Sequence, residues 1–76
     1  MSSYNGHKNW NHWNVSLWIN NDEGLYRMAL ECVKEMATKE EAAKYMLRQL
    51  EEFGHTQTPD GAPYSQSSIR AAMVEM

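Results

Sequence analysis

Apolar residues recur along this chain at helical spacing, in four blocks separated by short polar breaks. In the first block Trp10, Trp13, Leu17 and Trp18 follow an i, i+3, i+7, i+8 pattern, which lines up one side of an α-helix. A competing alternation exists: Trp13, Val15, Leu17 and Ile19 against Asn14, Ser16 and Trp18, as in a half-buried strand. The helix is preferred because Asn20-Asn21-Asp22-Glu23 then reads as the junction into a second helix. Asn20 with Glu23 three places later has the form of a capping box. Asp22 and Glu23 fall in the first turn, where the helix dipole favours negative charge. Helix one is therefore predicted from about Trp10 to Ile19, capped by Asn9 or Asn11. So short a helix is marginal alone, and burial of its tryptophans is expected to hold it.

The second block places Leu25, Met28, Ala29, Cys32, Val33 and Met36 on one face, with Arg27 and Glu31 a possible i, i+4 pair on the other. Thr38-Lys39-Glu40-Glu41 is a capping box that opens helix three. Its predicted buried face is Ala42, Tyr45, Met46, Gln49, Leu50 and Phe53, and Gly54 is a natural C-terminal stop. Thr58-Pro59-Asp60-Gly61 has proline and glycine where a type I turn wants them, inside a loop over residues 55–64. Ser65 or Ser67 caps a last helix that runs to Met76, aligning Ile69, Ala72, Met73 and Met76. The pattern predicts an all-α fold, a small bundle of three to four short helices. It forms a single domain over residues 1–76, with a polar arm at 1–8 in which Tyr4 is the one anchor and Asn5-Gly6 a turn.

Composition narrows the function classes. The net charge is −3, the wrong sign for a dedicated nucleic-acid binder and too mild for a DNA mimic. A lone cysteine, Cys32, fits a reducing compartment, and its place on an apolar stripe marks it as a buried thiol rather than a nucleophile. No apolar run approaches the ~20 residues of a membrane span. Met1-Ser2-Ser3-Tyr4 lacks the basic start and apolar core of a signal peptide, so a cytoplasmic protein is expected. His7, His12 and His55 stand at no zinc-like spacing to Cys32. Asn20 to Glu23 offers oxygen ligands without the spacing of a calcium loop. No phosphate loop, nucleophile elbow or carboxylate pair is legible. An enzyme is the least expected class, with no cofactor and no metal.

The run Tyr4-Asn5-Gly6, Asn9-Trp10, Trp13-Asn14-Val15, Leu17-Trp18-Ile19 and Asn21-Asp22-Glu23-Gly24-Leu25-Tyr26 resembles the opening block of small uncharacterised proteins carried by bacteriophages and other mobile elements. His12 stands where those proteins are expected to have threonine or another small or acidic residue. The resemblance covers about the first third of the chain, with weaker echoes at Thr58-Pro59-Asp60-Gly61 and Ser68-Ile69-Arg70. It brings no activity residue by residue. It implies a small accessory protein that binds and blocks a host enzyme or defence complex, of the anti-CRISPR or antirestriction type, in the host cytoplasm.

Two classes of partner follow. The favoured one is a host or defence-system protein bound stoichiometrically, or a second copy of the chain, through the surface of helices three and four. Tyr64, Ile69 and Met73 would lie at the centre of that surface, with Asp60 and Arg70 at its rim, since aromatic and methionine side chains suit an interface core. The alternative is a nucleic-acid accessory factor that stacks bases on Trp and Tyr beside Lys8, Lys44, Arg48 and Arg70. Gel retardation with single-stranded DNA or RNA at physiological ionic strength separates the two. No retardation is expected, and a salt-dependent shift would favour the alternative.

Overall fold

The computed structural model describes residues 7–76, so Tyr4 and the Asn5-Gly6 turn lie outside the described residues. Asn9 sits in extended conformation and its Oδ1 accepts the His12 N–H at 3.0 Å, which starts helix α1, Trp10–Asn21. The strand alternative for this stretch is excluded. Helix α2 is Glu23–Glu35, α3 is Lys39–Glu52 and α4 is Gln66–Ala72. Among the described residues there is no strand, only one isolated bridge between Gln57 and Pro63. The expected all-α bundle is what forms.

The α1–α2 junction is made by one residue, and it is not Asn20. Asp22 closes α1 by donating its N–H to the Trp18 carbonyl at 2.9 Å. Its carboxylate opens α2 by accepting the Leu25 N–H at 3.0 Å. Asn20 is still helical, and a cap must be extended. Its amide instead donates to the Ser16 carbonyl at 2.9 Å and to the Ala72 carbonyl at 3.3 Å, which ties α1 to the end of α4. Thr38 caps α3 as expected, accepting from the Glu41 N–H at 3.1 Å. Ser65 caps α4, with Ser68 as its reciprocal partner. That helix ends at Ala72, short of the expected Met76, and a turn follows.

The helices pack in a circuit: α1 on α2, α2 on α3, α3 on α4, and α4 most extensively back on α1. The core they enclose is Val15 and Ile19 from α1, Ala29 and Cys32 from α2, Ala42, Ala43, Met46 and Leu50 from α3, then Ala62, Ile69, Ala72 and Met73. This overturns the expected tryptophan core. Trp10 and Leu17 are 38% and 39% exposed, and Trp13 and Trp18 are only partly buried. The reason is steric. Helix α1 carries apolar side chains nearly all the way round, so its periodicity does not choose a face. The opposing helices present alanines, which bring backbones close and leave room for Val15 and Ile19 but not for indoles. On α3 the same close approach buries Ala43, while Tyr45 and Phe53, expected inside, are 41% and 68% exposed. Arg27 pairs with Glu23 at 2.6 Å rather than with Glu31; the pair is exposed and contributes little. No helix among the described residues is long and apolar enough to cross a membrane.

Ile69 and Met73 are fully buried within the monomer. They complete its own core and cannot form the centre of a contact surface. Met73→Ala is accordingly expected to destabilise the chain by about 2–5 kcal/mol, as for other buried long side chains. Urea unfolding should give the same loss across a wide range of protein concentration. A loss that shrinks on dilution would return Met73 to an interface.

Candidate functional site: an aromatic groove under the 55–64 loop

Helix α3 ends in a Schellman arrangement. Gly54, at φ 82°, donates to the Glu51 carbonyl at 3.0 Å, and His55 donates to the Leu50 carbonyl at 2.8 Å. The positive φ explains glycine here. The chain then doubles back on itself. Tyr64 donates to the Thr56 carbonyl at 3.1 Å, Thr58 to the Ala62 carbonyl at 2.8 Å, and Gly61 to the Thr58 carbonyl at 2.8 Å, closing the expected Thr58-Pro59-Asp60-Gly61 turn.

A polar cluster fixes this loop onto α1. Asn14 and Thr58 are 2% and 1% exposed. The Thr58 hydroxyl donates to Asn14 Oδ1 at 2.6 Å and accepts the Ala62 N–H at 3.0 Å. Asn14 Nδ2 donates to Asp60 Oδ2 at 2.9 Å, and Trp18 Nε1 donates to the same oxygen at 2.9 Å. Asparagine is suited to this position because one amide supplies an acceptor and a donor to two different loop residues. The bonds from Asn14, then Trp18, hold the Asp60 carboxyl below its ordinary value of 3.8.

With the loop fixed, a groove of about 440 Å³ opens between it and the α1–α2 junction. Trp18, Leu25, Leu50, Pro59 and Tyr64 form its apolar walls, and Asp22, His55 and Gln57 supply polar groups. Burial pushes the Tyr64 phenol up, and the Asp22 carboxylate adds to the effect. The Tyr64 hydroxyl and the His55 and Gln57 side chains hydrogen-bond to none of the described residues. Leucine and aromatic walls with a few convergent polar groups are the usual make-up of a binding site.

Of the residues expected to form a contact surface, Tyr64 lines this groove, and Asp60 braces its Trp18 wall from behind. Asp60 is not a free rim charge, because its carboxylate is committed to α1. Arg70 lies elsewhere, paired with Glu40 at 3.1 Å across α3 and α4. The sequence marks Trp18 as a core or stacking residue and Asp22 as part of a helix start, and it does not single out Asn14, Leu25 or Pro59 for a site. The signal is Asn14, a polar residue among apolar positions of α1 and next in sequence to the Trp13 indole. Trp18 takes its partner from Asp60.

Two other surfaces carry hollows. The outward side of α1 presents Trp10 and Leu17 beside a shallow hollow of about 270 Å³ that Trp13 also lines. A cleft of about 530 Å³ runs between the start of α1 and the end of α4, lined by His7, Lys8, His12 and Glu75 among others. There His12 Nε2 lies 3.0 Å from Ser67 Oγ. Burial lowers the His12 pKa, and the positive charges of Lys8 and His7 lower it further. A histidine that activates a serine is instead steadied by a carboxylate, so this contact reads as a tie between α1 and α4. Among the described residues no group of three or more His, Cys, Asp or Glu could hold a metal ion. Cys32 is buried and its thiol pKa is raised by that burial, the opposite of an activated thiolate.

A family model described as a family of unknown function, DUF7249, matches residues 1–76. The chain belongs to this family. No curated protein and no solved structure matches it. The groove of this DUF7249 chain therefore has to be judged on its own chemistry.

Two outcomes test the cluster. Asn14→Leu keeps the side-chain size but removes both loop bonds, and should cost about 1–3 kcal/mol. Amide exchange should accelerate at Thr58, Gly61 and Tyr64 well before Met46; uniform acceleration would mean that the cluster does not hold the loop separately. Because the folded Asp60 pKa is depressed, its contribution is complete above the unfolded value of 3.8 and is lost as pH falls through the lower folded value. The Trp18 indole N–H resonance should therefore titrate with a midpoint below 3.8. A midpoint at or above that value contradicts the bond.

Proposed function

We propose that this DUF7249 chain is a protein-binding module that takes a short segment of its partner into the Trp18–Tyr64 groove. It acts by occupancy, without turning a substrate over. One observation carries the reading: a small core gives up apolar packing at Asn14 and Thr58 to hold an otherwise exposed loop in one place. A buried polar network adds less stability than well-packed apolar groups and is useful chiefly for specifying geometry. Here the geometry specified is that of a groove with aromatic walls. Fixed tryptophan and tyrosine side chains lose little freedom on binding and dominate contact energy in many interfaces.

The resemblance of the N-terminal block to small phage and mobile-element proteins supports a host enzyme or defence complex as the partner, and inhibition or modulation, of the anti-CRISPR or antirestriction type, as the outcome. The nucleic-acid alternative is less well supported. Lys44 and Arg48 share the outer side of α3 with Glu41, Glu51 and Glu52, so no continuous basic track forms along that helix.

A photo-reactive amino acid at Gln57, on the groove rim, tests the reading in host cells that express the chain. Irradiation should give one discrete adduct with a host protein. The same group at Glu41, on the outer side of α3, should give none. Adducts of equal yield at both positions, or none at Gln57, would remove the groove from the proposal.

A further inference from the structure

Resting on that reading of the groove, we infer that the segment it accepts carries an arginine or lysine, whose stem lies against the aromatic walls and whose charged head meets the Asp22 carboxylate.

The groove holds one carboxylate and no lysine or arginine. Asp22 Oδ2 is occupied by the Leu25 N–H, and the residue makes no ion pair with the described residues. Neither arginine that forms an ion pair among the described residues engages Asp22: Arg27 is held by Glu23, and Arg70, away from the groove, by Glu40. Asp22 and Tyr64 line the same groove, and beside burial the Asp22 carboxylate adds to the raised phenol pKa. Carboxylate and aromatic face thus belong to one small space. A cation above an indole or phenol ring is attracted by the ring quadrupole, and guanidinium also stacks flat on such rings. The apolar stem of either side chain suits Leu25 and Pro59, leaving the charge near water. The Tyr64 hydroxyl offers a further acceptor. An acidic or purely aliphatic segment would leave Asp22 facing a like charge or desolvated beside nothing. The chain's net charge of −3 draws a basic segment in the same direction.

The probe is the blocked pentapeptide acetyl-Gly-Gly-Arg-Gly-Gly-amide, with citrulline as its neutral counterpart of nearly the same shape. Each is titrated into the full chain while the Trp18 indole and Leu25 amide resonances are followed. Arginine should give a saturable shift in the millimolar range expected of one anchored side chain, roughly fivefold tighter than citrulline. Asp22→Asn should erase that preference. Asparagine caps helices as well as aspartate does, so the melting temperature should hold and separate lost recognition from lost folding. Equal saturable binding of both peptides, or a preference that survives Asp22→Asn, would overturn the cation inference and leave the groove as a peptide site. No saturable shift with either peptide would also overturn it; whether the groove is a docking site at all is then decided by the Gln57 adduct alone.

Discussion

The Asn14 amide is the point on which the functional half of this molecule depends. It is buried, and both of its polar ends are spent on the loop, one on Thr58 and one on Asp60. A buried amide left unpaired is expensive, so the loop cannot lift away without exposing the amide to water or stranding it. The same carboxylate that satisfies Asn14 also orients the Trp18 indole. Loop position and indole position are therefore one variable, and the groove between them inherits its shape from a single cluster.

The helical frame supplies the other half of the geometry. Small residues at the helix contacts, Ala29, Ala42, Ala43 and Ala72, let four short helices close around a thin core. That closeness excludes the indoles and leaves them on the surface, where two different consequences follow. Trp18 is recruited into the groove. Trp10 and Leu17 remain on the outer side of α1, an apolar stripe with helical spacing that faces away from the core. Asp22 then does three things from one position: it ends α1, begins α2 and places a carboxylate in the groove. A turn of this kind, without a spacer residue, sets Trp18 and Leu25 side by side.

Local signals are legible in this sequence because their chemistry is local. The caps at Asn9, Thr38 and Ser65, the glycine stop at Gly54 and the Thr58-Pro59-Asp60-Gly61 turn each depend on neighbours within four residues. The buried face of α1 is not legible in its sequence: apolar residues surround the helix, so the choice between Val15–Ile19 and Trp10–Trp13–Leu17 is made by what packs against it. The α1–α2 cap shifted by two residues for a related reason: α1 runs on through Asn20, whose amide finds Ala72 fifty-two positions away. The site was half legible. The loop and Tyr64 stood out by composition. Nothing local pairs Asn14 with Thr58 or Trp18 with Asp60 across more than forty residues. Ile69 and Met73 read as a surface in the sequence because a strip of apolar residues on a terminal helix looks the same whether a second molecule or the chain's own core covers it.

The most direct test of this account is a double-mutant cycle on the contact that holds the loop. Asn14→Ala, Thr58→Val and the double variant are each unfolded in urea. If the two side chains act as one unit, their effects are less than additive, with a coupling energy between about 0.5 and 3 kcal/mol. Strict additivity would mean that the Asn14–Thr58 contact does not hold the loop, and would contradict the account.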